Sequence, residues 1–206
     1  MKVLMLNGSP HPAGCTFTAL SEIGAELTRQ GVEWEIVQIG GGPERDCLGC
    51  GKCTEQGCIF DGDGVNDFIA KAREADGFVF GTPVYYAHAS GRVLSFLDRA
   101  FYSGGDAFQG KPGAAVASAR RAGTTASLDD LNKYFGISRM PQVGSTYWNM
   151  VHGHCAEDVR QDAEGLQTMR HLAGQMAWLL KCIQAGKDAG IAPPALEPIV
   201  RTNFVR

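Results

Sequence analysis

Val3-Leu4-Met5-Leu6-Asn7-Gly8-Ser9-Pro10-His11-Pro12-Ala13-Gly14-Cys15-Thr16 opens with four apolar residues bounded by polar ones, the pattern of a short strand buried on both faces of a parallel sheet. Gly8, Pro10, Pro12 and Gly14 then interrupt regular structure, and from Thr16 the apolar residues Phe17, Leu20, Ile23 and Leu27 recur at helical spacing. The stretch therefore reads as strand, loop, helix. A helix start offers unpaired N–H groups and the positive end of its dipole, so such a loop can hold a phosphate without a lysine. Ser9 and Thr16 add hydroxyl donors. The stretch carries neither the G-x-x-x-x-G-K-[ST] nor the G-x-G-x-x-G pattern, which weakens two other phosphate-binding readings. An ordinary strand-to-helix connection with a hydroxyl cap is the alternative.

Outward from this stretch, strands alternate with helices. Trp34, Ile36, Val37 and Ile39 read as a second strand, and Val65, Phe68, Ile69 and Ala72 as a helix. Residues 76–81 form a third strand with the loop Thr82-Pro83-Val84-Tyr85-Tyr86 behind it, and a helix from Ser90 carries Val93, Leu94, Leu97 and Phe101. Ala114 to Ala117 make a fourth strand, followed by the loop 118–124 with Arg120, Arg121 and Gly123, then a helix through Leu128 and Leu131. A fifth strand is predicted over Val143 to Trp148, and Leu166, Met169, Leu172, Met176, Leu179, Leu180 and Ile183 mark a long core-facing helix. Cys182 falls inside that stripe and reads as core. This alternation predicts an α/β, doubly wound, five-stranded parallel sheet of order 2-1-3-4-5 with helices on both faces. Residues 1–190 are expected to form one domain with a cysteine-rich insertion at 46–60, and 191–206 an extended proline-rich tail lying on its own surface or on a partner subunit.

A chain of 206 residues suffices for one such domain with a sizeable core. A formal net charge of -3 gives no basic field for nucleic acid, which directs attention to a small-molecule partner. The start of the chain is too short in apolar residues for a signal peptide, and no later run approaches the roughly 18 apolar residues of a membrane span. A cytoplasmic protein without membrane contact is the expectation. Seven cysteines, an odd number with four between Cys47 and Cys58, do not suit a secreted disulfide framework and point to metal or redox chemistry.

In a doubly wound sheet, ligands bind at the carboxyl ends of strands near the switch point. The loops there are 8–16, with hydroxyls and a helix start, 82–86, with two tyrosines, and 118–124, with two arginines. They describe a phosphate end and a flat aromatic end of one ligand, a description that a flavin mononucleotide meets. Gly8-Ser9-Pro10 with Gly14 and Thr16, the loop Gly81-Thr82-Pro83-Val84-Tyr85, and Phe96-Leu97-Asp98-Arg99 together resemble the NADPH-dependent FMN reductase family of flavodoxin-like proteins, close to its iron-sulfur flavoprotein branch. The likeness covers about residues 1–150. It implies that Ser9, His11, Gly14, Cys15 and Thr16 surround the FMN phosphate and ribityl chain, that Pro83, Val84, Tyr85 and Tyr86 contact the isoalloxazine ring, and that Arg120, Arg121 and Gly123 lie along its other edge. Cys15 departs from the small polar residue more usual in the family, and as a thiol it is a weak donor. A homodimer or tetramer with FMN near the subunit interface is also implied.

Cys47, Cys50, Cys53 and Cys58 have the spacing C-x2-C-x2-C-x4-C. Three thiolates at every third residue can wrap one face of a cubane while a fourth closes it. The spacing resembles the compact 4Fe-4S motif of iron-sulfur flavoproteins; zinc, and thiols holding no metal, remain open alternatives. His152, His154 and Cys155 lack a fourth ligand at recognisable spacing and read as a loop over the site, Asp61 and Asp63 as a helix start. His88 is the one histidine placed to donate a proton to substrate. The function expected is an FMN-dependent oxidoreductase that takes hydride from NAD(P)H and passes electrons to a quinone, azo, nitro or flavin acceptor. An electron carrier coupling FMN to a 4Fe-4S cluster and a non-catalytic FMN-binding module are the alternatives.

Overall fold

A computed structural model describes residues 1–202 of the chain. Its elements run β1 (Lys2–Asn7), α1 (Cys15–Arg29), β2 (Glu33–Gln38), α2 (Val65–Glu74), β3 (Gly77–Tyr85), β4 (His88–Ala89), α3 (Gly91–Gly104), β5 (Gly113–Ala119), α4 (Thr124–Ile137), β6 (Met150–His152), α5 (Ala156–Gln161) and α6 (Ala163–Asp188). Five strands pair in parallel in the order β2-β1-β3-β5-β6, and the two-residue β4 folds back antiparallel on β3. Apart from that small return strand, this is the predicted doubly wound sheet.

The pleat explains the two layers. Leu4 and Leu6 of β1, with Phe78 and Phe80 of β3, face one side, where Phe68 and Ile69 of α2, Phe96 and Leu97 of α3 and Phe135 of α4 cover them. Val3, Met5, Val79 and Val116 face the other side, against Leu20 and Ile23 of α1 and Met169, Leu172 and Met176 of α6. Both faces are sealed over the central strands, so β1, β3 and β5 carry continuous buried runs, whereas the edge strand β2 keeps Glu33, Glu35 and Gln38.

Two expectations change. The last strand lies at Met150–His152, not over Val143 to Trp148: an isolated parallel bridge joins Gln142 to Gly113 of β5, with Val143 N–H reaching Gly113 O at 2.9 Å, but the chain then leaves the sheet, the continuous ladder with β5 begins at Met150, and the aromatic pair Tyr147 and Trp148 projects outward. Strand-forming aromatics there do not compensate for a chain that bends at Thr146 and Tyr147. Cys182 is exposed rather than core, because the last turns of α6 carry it away from the buried stripe that ends at Leu180. In the tail, residues 191–202 have neither helix nor strand, and 203–206 lie outside the described residues. No helix among the described residues is long and apolar enough to cross a membrane.

Candidate functional site

The loop after β1 is held by its own polar groups. Asn7 at the end of β1 accepts from Ser9 N–H at 3.2 Å, and Ser9 Oγ accepts from His11 N–H at 3.2 Å. Gln38 at the end of β2 donates to Ser9 O at 2.6 Å. Gly8 donates to Gly81 O at 2.8 Å, and a Cβ at Gly8 would sit 2.7 Å from that same oxygen, so only glycine lets β1 and β3 approach here. The chain then enters α1 at Gly14, where no side chain caps the first turn and no acidic residue occupies it. Those N–H groups and the positive helix end are left for an anion.

The loop after β3 is a tight hairpin in which Tyr85 pairs with His88. Tyr86 and Ala87 stand at φ 51° and 63°, the left-handed region that a type I′ turn demands at both central positions. Gly123, at φ 94°, backs onto this turn: a Cβ there would lie 2.4 Å from Ala87 Cα. Thr82 and Ser90 close the base, with Ser90 N–H donating to Thr82 Oγ1 at 3.0 Å and Ser90 Oγ accepting from Val93 N–H at the start of α3.

Together these loops wall a cavity of about 640 Å³ at the carboxyl ends of β1, β3, β5 and β6. Its size falls in the range of about 300–1,000 Å³ usual for cofactor sites. Of the residues singled out from sequence, Ser9, His11, Gly14, Cys15, Thr16, Pro83, Val84, Tyr85 and Arg120 line it. Tyr86, Arg121, Gly123 and His88 do not: Tyr86 is 99% exposed at the turn tip, Gly123 supports the turn from behind, and Arg121 offers its carbonyl to the His152 ring at 3.2 Å. His88 turns its Nδ1 to Ala89 O at 2.5 Å. Ser118 and the segment Gly153 to Glu157 complete the wall, beyond the cofactor residues that the sequence points to. The histidines and cysteine at 152–155, read as a loop over the site, were the available signal.

Polar contacts cross this cavity. Thr16 Oγ1 and Ser118 Oγ are 2.8 Å apart, both buried, and Cys15 Sγ donates to Gly153 O at 3.5 Å. Burial, with Cys155, Asp158 and Glu157 nearby, pushes the Cys15 thiol above its ordinary range, so it is a neutral thiol near neutrality.

The second centre is the 26-residue crossover, residues 39–64, between β2 and α2. Among the described residues, the one backbone pairing formed within this segment is the Thr54–Gly57 bridge. Asn66, in the first turn of α2, anchors it by accepting from Cys58 N–H at 2.9 Å and donating to Cys58 O at 2.9 Å. A connection this long without structure of its own is uncommon unless functional. Cys47, Cys50, Cys53 and Cys58 all line one small cavity, with Leu48, Phe60, Tyr102 and Arg99. Cys53 is largely exposed, and partial desolvation, then the neighbouring Cys58, Cys50 and Cys47, raises its thiol above the ordinary value. Among the described residues no three His, Cys, Asp or Glu side chains are drawn together tightly enough for a single metal ion. The donor set nevertheless suits a cubane, which spaces its four thiolates more widely than one tetrahedral ion does. A buried arginine, Arg99, lies beside them.

A doubly wound sheet with a cofactor-sized cavity at its switch point, phosphate-ready at one end and aromatic at the other, defines the flavodoxin class. Residues 1–154 match the sequence profile of the NADPH-dependent FMN reductases, and the chain belongs to that family of FMN-binding oxidoreductases. It is similar to an iron-sulfur flavoprotein of Methanocaldococcus jannaschii, with 30% identity over 89% of this chain and 100% of that one. An iron-sulfur flavoprotein of Methanosarcina thermophila is 27% identical over 91% of this chain and 100% of that one. The fold is also that of an archaeal flavodoxin, with a TM-score of 0.61 and 15% identity over 88% of this chain and 99% of that one.

Proposed function

We propose that this chain is a two-centre redox protein, with FMN in the cavity at the strand ends and a 4Fe-4S cluster held by Cys47, Cys50, Cys53 and Cys58. The observation that carries the reading is the convergence of these four cysteines on one cavity. The similarity to iron-sulfur flavoproteins along nearly the whole chain supports it. When bound, FMN supplies hydride and single-electron chemistry, and the cluster single-electron transfer.

The protein's own residues bind, orient and tune. The uncapped start of α1, with the hydroxyls of Ser9 and Thr16, takes the phosphate. Pro83, Val84 and Tyr85 form the apolar wall for the ring. Arg120 brings a positive charge to the opposite wall, where it favours the anionic reduced ring and raises its potential. No side chain acts as nucleophile or base, and His88, turned to Ala89 O, is given no proton-transfer role.

A second reading, in which NAD(P)H is the electron donor and a small quinone, azo, nitro or flavin compound the acceptor, is supported by the family match and by Tyr85, 44% exposed, at the rim of the cavity. Oxidation of NADH and NADPH by protein purified without oxygen, with each acceptor class in turn, tests it. Turnover is expected with at least one pair; none with any pair removes the reductase reading and leaves a carrier. A homodimer or tetramer belongs to the proposal, supported by the exposed Tyr147–Trp148 pair, whose ring centroids are 4.8 Å apart. A monomeric scattering mass would end that part.

A further inference from the structure

Arg99, on α3, is 1% exposed, the largest fully buried side chain in the protein. Charged side chains are almost never buried to this degree unless they are paired. Its partners are informative because they come from both ends of the cysteine crossover. From the far end, Asp63 takes a bidentate ion pair, its Oδ1 accepting from Nη2 at 3.2 Å, and Phe60 O accepts from Nη2 at 3.0 Å. From the near end, Glu44 brings Oε1 to 3.7 Å from Nη1. One guanidinium thus ties together the two ends of the segment that carries Cys47, Cys50, Cys53 and Cys58.

The pairing is also incomplete. Arg99 Nε is buried and finds no acceptor among the described residues. Leaving such a donor unmet costs on the order of 1–3 kcal/mol, more for a charged group. Arg99 lines the same cavity as the four cysteines, with Cys58 beside it. A spare N–H and a buried positive charge under four thiols are matched by one kind of ligand, a group that gathers negative charge on sulfur.

We infer that Arg99 is a positioning residue for the four-cysteine centre: it draws the two ends of the loop together and places a fixed positive charge beneath the cluster. This rests on the cluster reading proposed above. Four thiolates around the oxidised cubane leave a net negative charge, and one-electron reduction, with the electron delivered from reduced FMN or an added reductant, makes it more negative by one. Arg99 lines the cavity while its partners Asp63 and Glu44 do not, so the cationic end of the ion pair faces the cysteines, opposite in sign to Asp46 in the same lining. That nearer positive charge favours the more negative state and raises the reduction potential.

The test compares wild type, R99K, and the double variant R99Q/D63N, which removes both members of the closest ion pair and leaves Glu44 as a buried carboxylate beside the site. Each is purified without oxygen, assayed for FMN, iron and acid-labile sulfide, and titrated by spectroelectrochemistry with the reduced cluster followed by electron paramagnetic resonance. All three are expected to bind FMN. R99Q/D63N should show at least a tenfold smaller equilibrium constant for cluster reduction, a fall of about 59 mV for one electron. R99K, which keeps the charge, should shift less. Loss of iron from R99Q/D63N with retention in R99K also supports the inference. A cluster in R99Q/D63N with the wild-type potential overturns it, as does loss of iron from both variants with FMN still bound. Wild-type protein that binds FMN but neither iron nor sulfide overturns the cluster reading itself, and the role of Arg99 with it.

Discussion

Thr16 Oγ1 and Ser118 Oγ meet at 2.8 Å across the floor of the cavity, linking the first turn of α1 to the end of β5. Both residues are buried, and either hydroxyl can donate. Thr16→Val keeps the shape and deletes the contact, stranding Ser118. The expected cost is about 1–3 kcal/mol of stability in urea titrations, with weaker FMN binding measured by flavin fluorescence quenching. Ser118→Ala with Thr16→Val removes both partners and should recover part of the stability but not the affinity.

The Tyr86–Ala87 turn stores strain, since both residues occupy the left-handed region without being glycine or asparagine. Replacing the pair with Asn-Gly, the sequence a type I′ turn prefers, should raise stability by about 1–2 kcal/mol in the same titration. Tyr86 points away from the cavity, so FMN affinity should change little. A large loss of affinity would place Tyr86 on the ring after all.

Glu35 on β2 bonds to Lys2 and Lys71, and those hydrogen bonds hold its carboxyl below the ordinary carboxylate value of 4.5. A depressed carboxylate stabilises the fold above its unfolded pKa, and that contribution disappears as pH falls through the folded one. Because the site is partly exposed, Glu35→Gln should cost no more than about 0.2–1 kcal/mol at neutral pH. The difference from wild type should shrink as the pH is lowered below 4.5 and be absent once Glu35 is protonated in both states. Thermal denaturation of the two proteins across this range reads it directly.

Cys15 is a half-buried, neutral thiol, whereas Cys50, Cys53 and Cys182 are exposed. Iodoacetamide at mildly alkaline pH should label Cys182 well before Cys15, and FMN should slow Cys15 further. Mass spectrometry of peptides over time decides it; Cys15 labelling first would contradict its placement in the cavity wall.

The parts of this molecule legible in sequence are those built from local pattern. Val3 to Leu6 and 76–81 announce buried strands by unbroken apolarity, and Ser90 announces the start of α3 by capping chemistry. The last strand is not legible in this way, because Tyr147 and Trp148 have the residue types of a strand but no neighbour to pair with; pairing depends on where β5 ends, which is a long-range fact. The cavity followed a similar division. Loops after β1, β3 and β5 were identifiable from strand order, while the wall from Gly153 to Glu157 depends on where β6 delivers the chain. Arg99 was visible only as part of a helix motif, because its meaning lies in Glu44, Phe60 and Asp63, which are distant in sequence.

The most direct test of the two-centre assignment is the visible absorption spectrum of protein purified without oxygen, taken with flavin, iron and acid-labile sulfide analysis. One FMN per chain is expected, together with about four irons and four sulfides, the flavin bands riding on the broad absorption of a 4Fe-4S centre. Flavin without iron or sulfide would contradict the assignment of Cys47, Cys50, Cys53 and Cys58, and a colourless protein that takes up no FMN would contradict the assignment of the cavity as well.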